Sequence, residues 1–198
     1  MPPVTQTLIL LNVALFIAQS MFGDMLIVYF ALWPLSAAGA PDFQLWQLVS
    51  YSFLHANIWH IFVNMYALYM FGGDLERLWG AKRYLNLYFA SVIAAGLAQL
   101  VFSGLAQVPP YPTVGASGGV FGLLLSFAMY FPRRVIMLLI PPLPLPAWLF
   151  ATLYAMLELY LGVTGTQQGV AHFAHLGGML GAWVMIRYWR GQPPFRLR

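Results

Sequence analysis

The chain has 198 residues, of which only 7% are charged while 61% are hydrophobic and 17% aromatic. An ordinary soluble domain carries about 25% charged residues, so a water-soluble globule is excluded; disorder is excluded as well, since it needs low hydrophobicity and high net charge. The apolar runs approach the roughly 20 residues a helix needs to cross hydrocarbon and lack barrel-like alternation, so the class is all-α and polytopic.

In chain order, a first span is predicted at 5–22, read as a retained helix because no Lys or Arg precedes the faintly signal-like Ala18-Gln19-Ser20. Residues 23–54 are broken by Asp24, Pro34, Pro41 and Asp42 into runs too short to span, with Trp33 and Trp46 suited to the membrane boundary, and read as a long interfacial first loop. A second span follows at 54–71, ended by Gly72-Gly73-Asp74, and a third at 84–106. Pro109, Pro110 and Pro112 break the chain before a fourth span at 115–131, which Pro132 stops. The segment 135–146 is apolar but holds Pro141, Pro142, Pro144 and Pro146 and cannot be regular helix. A fifth span at 146–161, a Gly-rich turn at 162–169 and a sixth span at 170–189 complete one membrane domain, with no room for a separate soluble one.

The basic residues orient this bundle. Arg77, Lys82 and Arg83 lie between spans two and three, Arg133 and Arg134 between four and five, and Arg187, Arg190, Arg196 and Arg198 at the end. All fall on one side of a six-span chain. The positive-inside rule makes that side, with both termini, cytoplasmic. The net charge of +4 is thereby explained without nucleic-acid binding, and the absence of cysteine removes disulfides, thiol catalysis and thiolate metal sites.

Polar residues inside lipid are costly and therefore informative. They are His55, His60 and Asn64 at the start of span two, Ser117 within Gly115-Ala116-Ser117-Gly118-Gly119, Glu158 in span five, and His172 and His175 opening span six. At 1.5 Å per residue from the cytoplasmic arginines, Ser117 lies about 24 Å up, His175 about 18 Å, Asn64 about 20 Å and His60 about 25 Å. Three helices thus deliver a hydroxyl, an imidazole and two donors to one shallow layer in the outer half. Ser117 sits among small residues at a helix start, where first-turn N–H groups can hold an oxyanion; the same pattern also describes a packed N-cap. Gly177 and Gly181 have the small-xxx-small spacing that would draw span six against span four. His60 and Asn64 share a helix face. Glu158, the one acid within the spans, could orient a base but is read as a structural hydrogen-bonding or protonated group, which leaves a serine–histidine pair without a carboxylate as the simpler arrangement.

These segments resemble the rhomboid intramembrane serine proteases. The resemblance rests on Trp46-Gln47, on the run from Phe53 through His55, His60 and Asn64 to Met65, on Leu75-Glu76-Arg77-Leu78-Trp79-Gly80, on Gly115-Ala116-Ser117-Gly118-Gly119, and on Ala174-His175-Leu176-Gly177-Gly178. It implies a rhomboid-like bundle of six transmembrane helices in a membrane such as the bacterial inner membrane, with the active site toward the outside. It implies a serine endopeptidase that cuts peptide bonds in or near transmembrane helices of membrane-protein substrates, with Ser117 as nucleophile and His175 as base and acid. The Ser117 backbone N–H and the side chains of His60 and Asn64 would form the oxyanion hole. Span five and the 162–169 turn would be the mobile element through which substrate enters. His55, Gly115, Ala116, Gly118, Phe121, His172 and Gly178 would line or support the cavity. No cofactor or metal is expected, and a monomer among membrane lipids would suffice for catalysis. Gln47 departs from the arginine many members carry after the Trp, which bears on first-loop packing, and Phe121 stands where some have tyrosine. Two other readings compete: a metal or haem protein using His55, His60, His172 and His175, and a non-catalytic rhomboid-like protein that captures transmembrane helices. Fluorophosphonate labelling, metal analysis and the retained Ser117 and His175 separate them.

Overall fold

The computed structural model describes residues 1–35, 39–105, 111–137, 142–165 and 171–192. Its helices are α1 (Pro3–Phe22), α2 (Asp24–Phe30), α3 (Gln47–Ser50), α4 (Ile58–Ala67), α5 (Gly73–Leu105), α6 (Ser117–Tyr130), α7 (Ala147–Thr164) and α8 (His172–Trp189). A 3-10 turn, Tyr51–Phe53, follows α3, and a wider π turn, Leu68–Gly72, joins α4 to α5. Two short strands, β1 (Val135–Met137) and β2 (Pro144–Pro146), precede α7. Of the sequence expectations, Ala106, Pro109, Pro110, Pro141, the turn from 166 onward, Val170, Arg196 and Arg198 lie outside the described residues.

Among the described residues, three helices are long and apolar enough to cross a membrane: Pro3–Phe22, Ala147–Thr164, and the continuous 48-residue stretch Ile58–Leu105. A straight helix of that last length would measure about 72 Å, more than twice the hydrocarbon thickness. It is not straight. Gly80 has φ 77° and ψ 164°, a conformation closed to other residues, and breaks the stretch into two arms. The second arm folds back on the first: a Cβ on Gly72 would lie 2.5 Å from the Tyr84 hydroxyl and 3.1 Å from Thr5. Gly72 therefore serves close packing rather than ending a helix, and the expected stop at Gly72-Gly73 moves to Gly80.

Helix α8 lies against both α5 and α6. Tyr84, Leu87, Tyr88, Val92, Leu123 and Ile186 are fully buried between these helices. Glycines permit the approach. A Cβ on Gly178 would overlap the Gly118 carbonyl, while Cβ atoms on Gly177 and Gly181 would come within 2.5 Å of Ala98 and 2.6 Å of Ala94. The Gly177/Gly181 pair thus faces α5, not the helix of Ser117 as the spacing led us to expect. Consecutive helical positions diverge by about 100°, so Gly177 and Gly178 serve different neighbours.

One end of the bundle collects Arg77, Arg83, Arg134 and Arg190. Trp79 meets Tyr130 and Trp189 edge-on, at 5.1 and 5.5 Å. Arg83 lies over Trp189 and Arg190 over Tyr130, and Asp74 pairs with both Arg77 and Arg134. Near this end Glu76 accepts from the Val4 and Thr5 N–H groups and the Thr5 hydroxyl at 2.7–2.9 Å, satisfying open donors of the first turn of α1. The proline-rich segment forms an antiparallel pair of strands, Val135 opposite Pro146 and Met137 opposite Pro144. Leu145, between the two prolines, retains the N–H that they lack.

Candidate active site

Helices α4, α6 and α8 all begin at the end opposite these arginines, and their first turns carry the polar residues singled out in the sequence. Asn57 caps α4 by accepting from the His60 N–H at 2.9 Å. Gly115 makes the turn into α6 at φ 128°, and a Cβ there would lie 2.7 Å from the His60 ring. Both requirements call for glycine. The Gly115 N–H donates to the Tyr51 carbonyl at 2.9 Å, and the Leu32–Thr113 bridge ties the first loop to the segment leading into Ser117.

Ser117 is the first residue of α6 and His175 the fourth of α8. Ser117 Oγ and His175 Nε2 are 2.8 Å apart. The Phe121 ring stacks on the His175 imidazole at 4.3 Å with planes 4° apart, which holds the imidazole in one orientation. Behind His175, Glu158 Oε2 of α7 lies 2.8 Å from its Nδ1 and 2.6 Å from Nδ1 of the buried His172. Sequence reasoning named Glu158 as able to orient a base but ranked that below a structural role; its contact with both imidazoles becomes visible only in the fold. Glu158 lies on the inward stripe of α7, where the buried residues are Ala147, Ala151 and Glu158.

His60, Asn64, Ser117, Phe121, Glu158 and His175 line a common cavity of about 870 Å³ whose rim includes the exposed Trp59 and Val63. His60 Nδ1 accepts from the Ala56 N–H at 3.3 Å, so the hydrogen-bond network assigns the proton of the neutral ring to Nε2. Asn64 Nδ2 donates to the His60 carbonyl at 2.8 Å, which commits one of its two amide hydrogens. His55 is fully buried edge-on to His60 at 5.1 Å and supports that ring from behind. Its backbone is clamped by Gln19 of α1, whose amide accepts from its N–H and donates to its carbonyl. Ala116 and Gly118 are buried at the turn. The four histidines do not converge on one point: among the described residues, the group able to approach a common ion is Glu158, His172 and His175, without His55 or His60.

The family model described as the Rhomboid domain matches residues 42–191. The chain belongs to the rhomboid family. It is 35% identical over 135 residues to the mitochondrial Rhomboid protein 1 of Saccharomyces cerevisiae, covering 68% of this chain and 39% of that protein. It is 26% identical over 191 residues to Rhomboid protease GlpG of Yersinia pestis and of Yersinia pseudotuberculosis, covering 94% of this chain and 62% of those proteins. The chain thus spans less than two thirds of the length of these relatives.

This rhomboid is an integral membrane protein, as its apolar helices and family indicate. Gln47 resolves the question its departure raised. Buried in the first loop, its side chain accepts from the Trp33 and Gln44 N–H groups at 3.3 Å and donates to the Tyr29 carbonyl at 3.4 Å. A neutral amide, able to accept as well as donate, fastens that loop here.

Proposed function

We propose that this rhomboid is an intramembrane serine endopeptidase that cuts membrane-protein substrates in or near their transmembrane helices. The observation that carries the reading is the 2.8 Å approach of Ser117 Oγ to His175 Nε2 beside a cavity that reaches the surface. His175 takes the serine proton as Ser117 attacks the peptide carbonyl. The oxyanion is held by the Ser117 N–H, by His60 Nε2–H and by the remaining amide hydrogen of Asn64, at a helix N-terminus whose partial positive charge favours it. The imidazolium protonates the leaving amine, and water activated by His175 then hydrolyses the acyl-enzyme.

The 198 residues act as one domain of six spans: α1, the two arms of the Ile58–Leu105 stretch, α6, α7 and α8. The end with Arg77, Arg83, Arg134 and Arg190 is cytoplasmic, as are both termini, and the site opens outward with the first loop in the outer interface. A helical substrate hides its scissile carbonyl in hydrogen bonds, so the preferred segments carry helix-breaking residues and a small side chain at the cut. One copy of the chain, without cofactor, is sufficient.

The test is purified Ser117→Ala beside wild type, assayed with a fluorophosphonate and a transmembrane substrate carrying such a segment. Labelling and cleavage are both expected to vanish; a variant that still cuts overturns the assignment.

A further inference from the structure

Glu158 is the sole acid of α7, its side chain is only 7% exposed, and nothing in the mechanism above uses it. A buried carboxylate is costly unless charge-assisted hydrogen bonds satisfy it. Here one oxygen faces two imidazole nitrogens, and an ionised carboxylate only accepts. Both histidines therefore present Nδ1–H to it. For His175 this leaves Nε2 as the lone-pair atom, 2.8 Å from the Ser117 hydroxyl. Ser117 Oγ, the His175 ring and Glu158 Oε2 form a line of two contacts of 2.8 Å each. His172, set perpendicular to His175 with ring centres 6.4 Å apart, anchors the carboxylate from the other side.

We infer that Glu158 is a positioning residue for the base: it holds His175 in the tautomer that accepts the serine proton and stabilises the imidazolium that results, with His172 as its second anchor. The inference rests on the proposed nucleophile and base. In the step, the serine proton moves to Nε2, Nδ1–H stays on His175, and the leaving amine takes the Nε2 proton; the carboxylate never receives one. Without it the neutral imidazole can carry its proton on Nε2 instead, and that form cannot accept from Ser117. A carboxylate that merely fastened α7 to α8 would affect folding and not the chemical step.

The experiment uses purified wild type, Glu158→Gln, Glu158→Asp and Ser117→Ala. The readouts are the fluorophosphonate labelling rate, kcat and KM on one transmembrane substrate, the thermal unfolding midpoint and metal content. Glu158→Gln is expected to lower kcat and the labelling rate about a hundredfold with KM within about twofold, at an unchanged unfolding midpoint, and Glu158→Asp to recover part of the loss. Wild-type kcat in Glu158→Gln overturns the inference, as does a loss that only tracks the fraction unfolded. Should Glu158→Gln not fold, 15N NMR of histidine-labelled wild type decides: resting His175 is expected to carry its proton on Nδ1, and a proton on Nε2 overturns the inference. Stoichiometric bound metal whose removal abolishes activity also overturns it, because Glu158, His172 and His175 would then be ligands. An active Glu158→Gln beside a dead Ser117→Ala sinks this inference alone; an active Ser117→Ala sinks the proposed function.

Discussion

Gly178 of α8 and Gly118 of α6 touch backbone to backbone, with no room for a Cβ on Gly178 beside the Gly118 carbonyl. Gly118 follows Ser117 and Gly178 lies three residues after His175, so this contact sets the separation of hydroxyl and imidazole. Gly178→Val is expected to push α8 outward. Because a displacement of 1 Å can cost about a hundredfold in rate, labelling by a fluorophosphonate should fall at least about that far. Gly104→Ala, at an exposed helical position with open space around it, should leave labelling unchanged. Equal labelling of the two variants would contradict the role given to the contact.

His60 and Asn64 are expected to differ in their contribution to the oxyanion hole. His60 has its Nε2–H available to the cavity, so His60→Ala should lower kcat about a hundredfold with little change in KM, the usual cost of losing one such donor. Asn64 has one amide hydrogen committed to the His60 carbonyl, and Asn64→Ala should cost about tenfold. Steady-state kinetics on a transmembrane substrate give both values; a larger loss for Asn64→Ala would reverse the assignment.

Glu76 satisfies three donors near the start of α1. Glu76→Ala leaves them exposed to a poorly hydrated environment and is expected to lower stability by about 2 kcal/mol. The unfolding midpoint in micelles should drop while the kcat of the folded fraction stays at the wild-type value. A fall in kcat without a fall in the midpoint would point instead to a role at the site.

The chain has no cysteine, so single cysteines report topology without a background. Asp42→Cys in the first loop and Lys82→Cys beside Gly80 are both at exposed positions. In intact cells an impermeant maleimide is expected to label Asp42→Cys, and to reach Lys82→Cys only after permeabilisation. The opposite pattern would invert the proposed orientation.

Most of the helices were legible because the lipid core demands long apolar runs, and the residues around Ser117, His175, His60 and Asn64 stood out because polar groups in such runs are rare. Turn geometry was less legible. Gly72-Gly73 and Gly80 carry equal weight as helix breakers in a sequence, yet Gly72 is small to admit Tyr84 and Thr5 while Gly80 is glycine for its positive φ. In the Pro-rich 135–146 segment the described residues Val135–Met137 and Pro144–Pro146 are strands and not helix, but their pairing depends on a register that composition does not specify.

Composition and spacing by themselves determined that this is a membrane-embedded helical chain, and they led to the expectation of a hydroxyl, imidazoles and an amide near one depth, because hydrocarbon thickness and helical rise convert residue number into depth. Which helix faces meet is a rotational matter, and a change of one residue turns a face by about 100°. Only the tertiary structure could therefore decide that Gly178 rather than Gly177 meets α6, that His175 reaches Ser117, and that the carboxylate of Glu158 stands behind both histidines.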